Sequence, residues 1–169
     1  LWEPARFGWA FTLMRAYILT GEARYAETFW RNFELFMEAN PPNCGLNWSS
    51  GQEVALRLLA FLFAARVFAA APSSTPVRQS QLSGAVISHA RRIPPTLGYA
   101  RAQDNNHLLT EALGLYAAGC SLPDHPQAKR WQALGWRWAN NALQRQIDAH
   151  GVYTQHSTNY HRLMLQAAI

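Results

Sequence analysis

The sequence predicts an all-α fold built from αα-hairpins. Apolar residues recur at helical spacing through most of the 169 residues. Turn signals rich in Gly, Pro, Asn and Ser interrupt this pattern several times. No convincing β-strand is present between them, and hydrophobic residues make up 49% of the chain. A chain of this length and composition can bury a substantial core as one domain.

The first hairpin is predicted from apolar periodicity and its stop signals. Helix one covers about residues 4–19 and stops at Thr20-Gly21. Helix two covers about 22–39 and stops at Asn40-Pro41-Pro42. Glycine and proline are the residues that most often end helices, so both boundaries rest on backbone chemistry.

The second hairpin begins at a capping box. Ser50 and Glu53 have the S-x-x-E spacing in which each side chain satisfies a free N–H of the first helical turn. Helix three then runs to about residue 71. Helix four covers about 77–92, and Pro94-Pro95 is expected to open a loop after it.

The third hairpin follows the polar stretch DNNH. Helix five covers about 105–119 and is expected to stop at Gly119. Helix six covers about 126–149 and ends before Gly151. A polar loop, VYTQHSTNYH, leads into a seventh helix near residue 158.

The first helices of successive hairpins begin near residues 4, 51, 105 and 158, at spacings of 47, 54 and 53 residues. Such a repeat builds a bundle, a solenoid or a closed α/α toroid. In each of these the first helices run parallel, so their N-termini lie on one rim. Positive potential at helix N-termini suits an anion there.

The richest polar and aromatic segments of the chain fall on this predicted rim. Asn106 and Tyr160 lie 54 residues apart, one hairpin repeat, which puts them at the starts of adjacent first helices. The four segments are Trp2-Glu3-Pro4-Ala5-Arg6, Asn47-Trp48-Ser49-Ser50, Asp104-Asn105-Asn106-His107 and His156-Ser157-Thr158-Asn159-Tyr160-His161.

Charge favours an anionic partner. The net charge is +5, the pI is near 9.7, and Lys129 is the only lysine, so the cations are mostly arginines. Arginine binds carboxylates and sulfates through a planar fork. The basic residues are scattered without a recognition motif, which disfavours nucleic acid. No membrane span is expected, because Arg57 and Arg66 interrupt the longest apolar run.

Four stretches resemble the N-terminal α/α-toroid domain of heparinase II/III-like polysaccharide lyases, which are related to alginate and oligoalginate lyases. The resemblance extends over nearly the whole chain and implies an (α/α) toroid. The stretches are WEPARFGWAFTLMRAYILTGEARYAETF, NPPNCGLNWSSGQEVALR, NNHLLTEALGLYAAG and HSTNYHRLML.

The resemblance implies cleavage of a uronic-acid glycosidic bond by β-elimination. It assigns Asn106 as the residue that neutralises the substrate carboxylate, His107 as its neighbour in the site, and Tyr160 as the catalytic tyrosine. Hydrogen-bond donors aimed at the carboxylate stabilise the dianion that forms when the C5 proton leaves, which is the chemical reason for a neutral Asn. One departure is Thr154-Gln155-His156, where relatives often carry an acidic residue.

The remaining rim residues are expected to bind substrate. Trp48 is the favoured platform for a sugar ring, and Arg6 and Arg57 are candidate carboxylate forks, although ion pairs with Glu3 and Glu53 are an equal alternative. The other candidates for substrate binding are Trp2, Asn47, Glu53, Asn105 and His161. One of Asn105 and Asn106 is expected to cap helix five.

The resemblance also implies that the chain is one part, residues 1–169, of a longer periplasmic or secreted enzyme. An incomplete toroid would then be followed by a C-terminal β-sandwich domain and by further catalytic residues. We expect Leu163, Leu165 and Ile169 to lack a covering helix in an isolated chain, which favours self-association.

Other interpretations remain. The main alternative is a non-catalytic helical-repeat module that binds an anionic glycan. Glycoside hydrolysis would need two carboxylates at the rim, where each acidic residue has a capping or pairing role. The histidines at 150, 156 and 161 lack the spacing of a zinc motif, so neither a metal nor a cofactor is expected. The two cysteines, Cys44 and Cys120, leave a disulfide open.

Overall fold

The computed structural model describes residues 2–168, with side chains through residue 166, and confirms the all-α prediction. No β-strand occurs among these residues, and a single isolated bridge joins Ile147 and Tyr153. Short 3₁₀ helices cover Pro4–Arg6 and Leu46–Trp48. The α-helices are α1 (Ala10–Thr20), α2 (Ala23–Ala39), α3 (Gly51–Val67), α4 (Pro76–Gln103), α5 (Asn106–Ser121), α6 (Ala128–Gln146) and α7 (Thr158–Ala168).

The helices pack as the predicted hairpins. Helix α1 packs on α2, α3 on α4, and α5 on α6. The first helices also contact each other in order, because α3 packs against both α1 and α5, and α5 packs against α7. Helices α3, α5 and α7, which start the successive hairpins, are therefore neighbours in this order, as the repeat predicts.

Aromatic side chains fill the core between the first two hairpins. Phe29, Phe33 and Phe61 are fully buried, and the rings of Phe33 and Phe61 meet edge-on at 5.2 Å between centroids. Edge-to-face contacts add to the free energy gained by removing these rings from water. Most of the aromatic residues of the first two hairpins therefore serve packing.

Helix one, expected over about 4–19, is divided. The 3₁₀ turn Pro4–Arg6 and helix α1 are separated at Phe7, whose φ of 60° is left-handed. The ring of Phe7 is 1% exposed and lies 4.9 Å from the Phe61 ring. The left-handed backbone at Phe7 thus breaks the helix at the residue whose ring packs into the core.

The prediction of a loop at Pro94-Pro95 is wrong, because α4 continues through both prolines to Gln103. A proline inside a helix costs about 3 kcal/mol through its missing N–H and its clash with the preceding turn. Ile93 and Leu97 flank the pair and are 0% and 4% exposed. Burying a side chain of this size contributes about 1.5–3 kcal/mol, so two of them offset much of that cost.

Several predicted ends differ by a few residues. Helix α3 ends at Val67 rather than near 71, and α6 covers Ala128–Gln146 rather than 126–149. The capping interaction at Ser50 is present, with the Glu53 N–H donating to its hydroxyl at 3.5 Å. The Glu53 carboxylate does not complete the box, because it binds an arginine instead.

Gly119 does not end helix α5, which continues to Ser121. Its role is close packing. A Cβ at this position would lie 2.7 Å from the Ala128 carbonyl oxygen of α6. The predicted stop at Gly119 is therefore wrong, and this glycine instead allows α5 and α6 to approach closely.

Gly135 makes the corresponding close approach from α6. A Cβ there would lie 2.6 Å from both the Ala112 carbonyl oxygen and the Tyr116 nitrogen of α5. These are backbone atoms, so a side chain at this position could be accommodated only if α5 and α6 moved apart.

We expect Gly135→Ala to destabilise the fold by about 1–3 kcal/mol, the usual effect of overpacking. Gly84→Ala is the matched control, since Gly84 is an exposed glycine of α4 with nothing within 4 Å of a new Cβ. It should stabilise the protein by about 0.4–1 kcal/mol, because alanine lowers the conformational entropy of the unfolded chain. Chemical denaturation measures both, and equal effects of the two substitutions would contradict the close approach of α5 and α6.

Candidate functional site

The start of helix α5 explains why the sequence places polar residues in a row there. Asn105 is the cap, and its side-chain oxygen accepts the His107 N–H at 2.9 Å. The Asn106 N–H donates instead to the Gln155 side-chain oxygen, from the loop before α7, at 3.0 Å. Two of the free donors at the helix N-terminus are thus satisfied by different side chains.

The Asn106 side chain is available for a further partner. Asn106 is 3% exposed, and its amide nitrogen has no hydrogen-bond partner among the described residues. A buried donor without a partner costs about 1–3 kcal/mol, and each instance in a folded protein calls for an explanation. An acceptor supplied by a ligand would satisfy it.

A cleft of about 790 Å³ lies between the start of the chain, α3 and α7. It brings together two of the predicted site residues, Arg6 and Tyr160, and Tyr160 is 42% exposed. Asn106 and His107 do not line it. The lining residues are Glu3, Arg6, Gly8, Phe11, Gln52, Leu56, Ser157, Asn159, Tyr160, Arg162, Leu163 and Gln166.

Arg6 is held by acidic neighbours within the protein. Its guanidinium forms a two-pronged pair with Glu53, at 2.6 and 2.7 Å, and a further ion pair with Glu3. The hydrogen bond to Glu53 raises the pKa of Arg6, and Tyr160 contributes to the same effect. The ion-pair alternative is thus the one present, and Arg6 has no free fork for a carboxylate. Glu53 is 4% exposed, so it too is a partner of Arg6 rather than a surface ligand.

His107 is electrostatically connected to this group. Burial lowers the pKa of His107, and Glu53 acts in the opposite direction. Glu53, which binds Arg6 directly, therefore also influences the charge of His107. The lowered pKa keeps the imidazole neutral at neutral pH, with one N–H to donate.

Trp48 does not present the exposed ring that the sequence predicted. The side chain is 2% exposed, and its indole N–H donates to the Asn40 carbonyl oxygen at 3.2 Å. The ring packs on His89 at 4.4 Å between centroids. Its polar neighbours in sequence suggested a loop residue, but the short helix Leu46–Trp48 turns the ring into the core.

Arg57 is also a core residue and not a contact on the rim. It is 0% exposed and donates to the Ala5 and Asn47 carbonyl oxygens at 3.0 and 2.7 Å. Its Nε donates to His89 Nε2 at 2.8 Å. Burial lowers the pKa of His89 to about 3, which keeps its ring a neutral acceptor.

The other predicted ligands are dispersed. Asn47 donates to the Asn40 side-chain oxygen at 2.7 Å and lines a different groove, beside Pro4 and Phe36. His161 lines a pocket on another side of α7, near Tyr153, and Trp2 is 44% exposed outside the lining of the cleft.

The sequence predicts no site role for four residues near the site, although Asn159 falls in a rim segment and Gln155 in the loop before Tyr160. Gln52, Asn159 and Arg162 line the cleft, and Arg162 has no ion pair within residues 2–166. Gln155 contacts the Asn106 backbone. Polar residues at helix starts are common, so only the three-dimensional arrangement distinguishes these from capping residues.

Glu111 is a further buried group, on α5 one turn after His107. It is 1% exposed, and the Thr96 hydroxyl lies 2.7 Å from its carboxyl oxygen. Burial raises the pKa of Glu111 to about 7, against the opposing effect of Thr96.

Residues 2–168 show neither a metal-binding cluster nor a membrane-spanning helix. That part of the chain holds no cluster of three or more His, Cys, Asp or Glu side chains suited to a metal ion. Each of its helices falls short of the length or apolarity needed to cross a bilayer. Cys44 and Cys120 are both exposed and unpaired.

Two curated proteins resemble this chain in sequence. Both are described as heparin-sulfate lyases. The protein from Bacteroides thetaiotaomicron is 24% identical over 159 residues, which cover 92% of this chain and 22% of the relative. The one from Pedobacter heparinus is 25% identical over 166 residues, which cover 95% and 24% respectively. The chain thus spans about a quarter of the length of these relatives.

Solved structures share the fold. The crystal structure of a heparan sulfate lyase from Pedobacter heparinus matches with a TM-score of 0.76 at 23% identity, covering 90% of this chain and 24% of that one. A heparinase III structure matches with the same TM-score at 22% identity, covering 98% and 28%. The matched part of each structure therefore shares the hairpin array described above.

The family model described as Heparinase II/III N-terminus matches residues 1–169. This match extends over the whole chain and agrees with the relatives and with the helical fold. The chain belongs to the heparinase II/III family, as its N-terminal domain.

Proposed function

We propose that this domain forms part of a polysaccharide lyase that cleaves a uronate-containing anionic polysaccharide by β-elimination. Asn106, His107 and Tyr160 contribute the chemistry that this domain supplies. The lyase relatives support the reaction class. The observation that carries the proposal is the buried Asn106 amide, whose N–H₂ has no partner within the described chain.

A uronate carboxylate is the partner that such an amide suits. An ionised carboxylate makes the neighbouring C5–H a very weak acid, because removing the proton places a second negative charge on the group. A donor aimed at the carboxylate stabilises that dianion more than the ground state, and such electrostatic stabilisation is usually the largest catalytic contribution. Asn donates without an opposite charge that would trap the substrate. His107, kept neutral by burial, can donate a second hydrogen bond.

Tyr160 acts at the leaving oxygen. A base takes the C5 proton, and the C5–H electron pair becomes the C4=C5 double bond. The C4–O4 bond breaks with its electrons on O4, which receives the Tyr160 hydroxyl proton. The tyrosine then regains a proton from the base or from water. Exposure of Tyr160 in the cleft supports access of a polymer to this hydroxyl.

Few free cations are available in the cleft to bind an anionic polymer. Arg6 is paired with Glu53 and Glu3, so its charge is already balanced. Arg162 is the lining cation without an ion pair among residues 2–166. We propose Arg162, in place of Arg57, as the arginine that contacts an acidic group of the substrate.

The complete protein is part of the proposal. The curated relatives are about four times the length of this chain. We propose that a β-sandwich domain and a further catalytic base belong to the same enzyme, and that it acts in the periplasm or outside the cell, where a polymeric substrate is met.

We expect Tyr160→Phe in the complete enzyme to lower kcat by about 10²–10⁴-fold, the range for loss of a general acid. Substrate affinity should change little, because the ring remains and only the hydroxyl is removed. The assay is ultraviolet absorbance of the C4=C5 unsaturated uronate, a product that hydrolysis does not make.

Tyr99→Phe is the matched control for Tyr160. Tyr99 is a 65% exposed tyrosine of α4 that lines none of the cleft, so wild-type rates are expected. Near wild-type rates in Tyr160→Phe would exclude this tyrosine as the acid. No chromophore from any uronate polymer with the wild-type enzyme would favour the glycan-binding module instead.

We expect Asn106→Asp and Asn106→Ala both to lower kcat by about 10²-fold or more, as when an oxyanion-hole donor is lost. Asp keeps the shape of Asn but replaces the donor with an acceptor, so it should be no better than Ala. Asn141→Ala on α6, outside the cleft, is the control. Activity of Asn106→Asp close to wild type would show that the donor is not needed.

A further inference from the structure

The loop between α6 and α7 contains a side chain that contacts the N-terminus of α5. Gln155 lies 49 residues from Asn106 in sequence, and its side-chain oxygen accepts the Asn106 backbone N–H at 3.0 Å. A backbone N–H can only donate, so the atom facing it must be an acceptor. The orientation of the Gln155 amide is therefore fixed by chemistry.

This contact belongs to a connected set of hydrogen bonds. The Tyr153 hydroxyl is 3.2 Å from the Gln155 oxygen and 3.2 Å from the Gln146 side-chain oxygen. Gln146 in turn donates to the Asn105 carbonyl oxygen at 2.9 Å. Tyr153 is 1% exposed and Gln146 is 2% exposed, so most of this set is shielded from water. The start of α5 is thus held both by the end of α6 and by the loop.

The same loop leads directly to Tyr160. The Ser157 N–H donates to the Gln155 carbonyl oxygen at 2.7 Å, and the His161 N–H donates to the Ser157 carbonyl oxygen at 2.9 Å in the first turn of α7. Gln155 therefore contacts Asn106 through its side chain and the start of the Tyr160 helix through its backbone.

We propose that Gln155 is a positioning residue that sets Asn106 relative to Tyr160, and that it acts only through its acceptor oxygen. The inference rests on the proposed function for its effect on turnover, but the tether itself is independent of it. Gln155 contacts neither reacting atom. Misplacement of a catalytic group by about 1 Å can lower the rate by about 10²-fold, so a tether of this kind has a measurable effect.

The test compares Gln155→Ala with Gln155→Glu in the intact protein. The Gln155 side chain forms its hydrogen bonds to Asn106 and Tyr153 through its oxygen. Glutamate retains an acceptor oxygen at this position, and alanine removes it. Gln144→Ala is the control, because Gln144 is exposed on α6 and its side chain has no hydrogen bond among the described residues. All variants are assayed for kcat and KM on a uronate polymer and for amide hydrogen exchange by NMR.

We expect Gln155→Ala to lower kcat by about ten- to a hundredfold with KM changed by less than about threefold. Gln155→Glu should restore kcat, and Gln144→Ala should match the wild type. The Asn106 amide should exchange at least about tenfold faster in Gln155→Ala, while the His107 amide, capped by Asn105, stays protected.

The two measurements separate the tether from the reaction. If the wild-type protein shows no lyase activity, the proposed function fails, and the exchange of the Asn106 amide still decides the tether. Unchanged exchange in Gln155→Ala would overturn the tether. Faster exchange with unchanged kcat, or failure of Glu to restore kcat, would overturn the positioning role.

Discussion

The buried cation Arg57 of α3 ties together the start of the chain, the loop before α3 and helix α4. Its guanidinium is 0% exposed and donates to the Ala5 carbonyl oxygen, the Asn47 carbonyl oxygen and the His89 imidazole, which lie on three different segments. Moving a charge of this size out of water costs several kcal/mol unless its donors find acceptors. Among residues 2–166 no carboxylate forms an ion pair with it. Burial lowers the pKa of Arg57 to about 10, so it stays charged at neutral pH. The cost of an unsatisfied guanidinium therefore fixes where the three segments lie.

The framework around Arg57 also includes charges that the sequence suggested for substrate binding. Glu53 lies one turn before Arg57 on α3 and binds Arg6 at the edge of the cleft. The pair of charges that the sequence offered for substrate binding is thus part of the protein's own framework. What remains open toward the cleft is a small set of groups, among them the Tyr160 hydroxyl and the Arg162 guanidinium. The cleft therefore presents few free charges, and the unpartnered Asn106 amide lies outside its lining.

The sequence predicted the hairpins well because their boundaries depend on local chemistry. Ser50 caps α3 by accepting the N–H of Glu53, only three residues along the chain, and a contact this local is visible in a sequence pattern. Helix α4 continues through Pro94-Pro95, where buried neighbours offset much of the local proline penalty, and burial depends on residues distant in sequence. The sequence predicts that Trp48 and Arg57 face substrate on the rim, but tertiary packing places both in the core. Gln155 was not identified because its contact spans 49 residues.

Amide hydrogen exchange in Arg57→Lys tests most directly whether this buried guanidinium orders the edge of the site. Lysine keeps the charge but cannot reach three acceptors with a planar fork. We expect residues 2–9 and 44–50 to exchange at least about tenfold faster than in the wild type, while α5 and α6 keep their protection. Arg66→Lys, at an exposed arginine of the same helix, should leave all segments unchanged. Equal protection of residues 2–9 and 44–50 in Arg57→Lys and the wild type would contradict the central role given to Arg57.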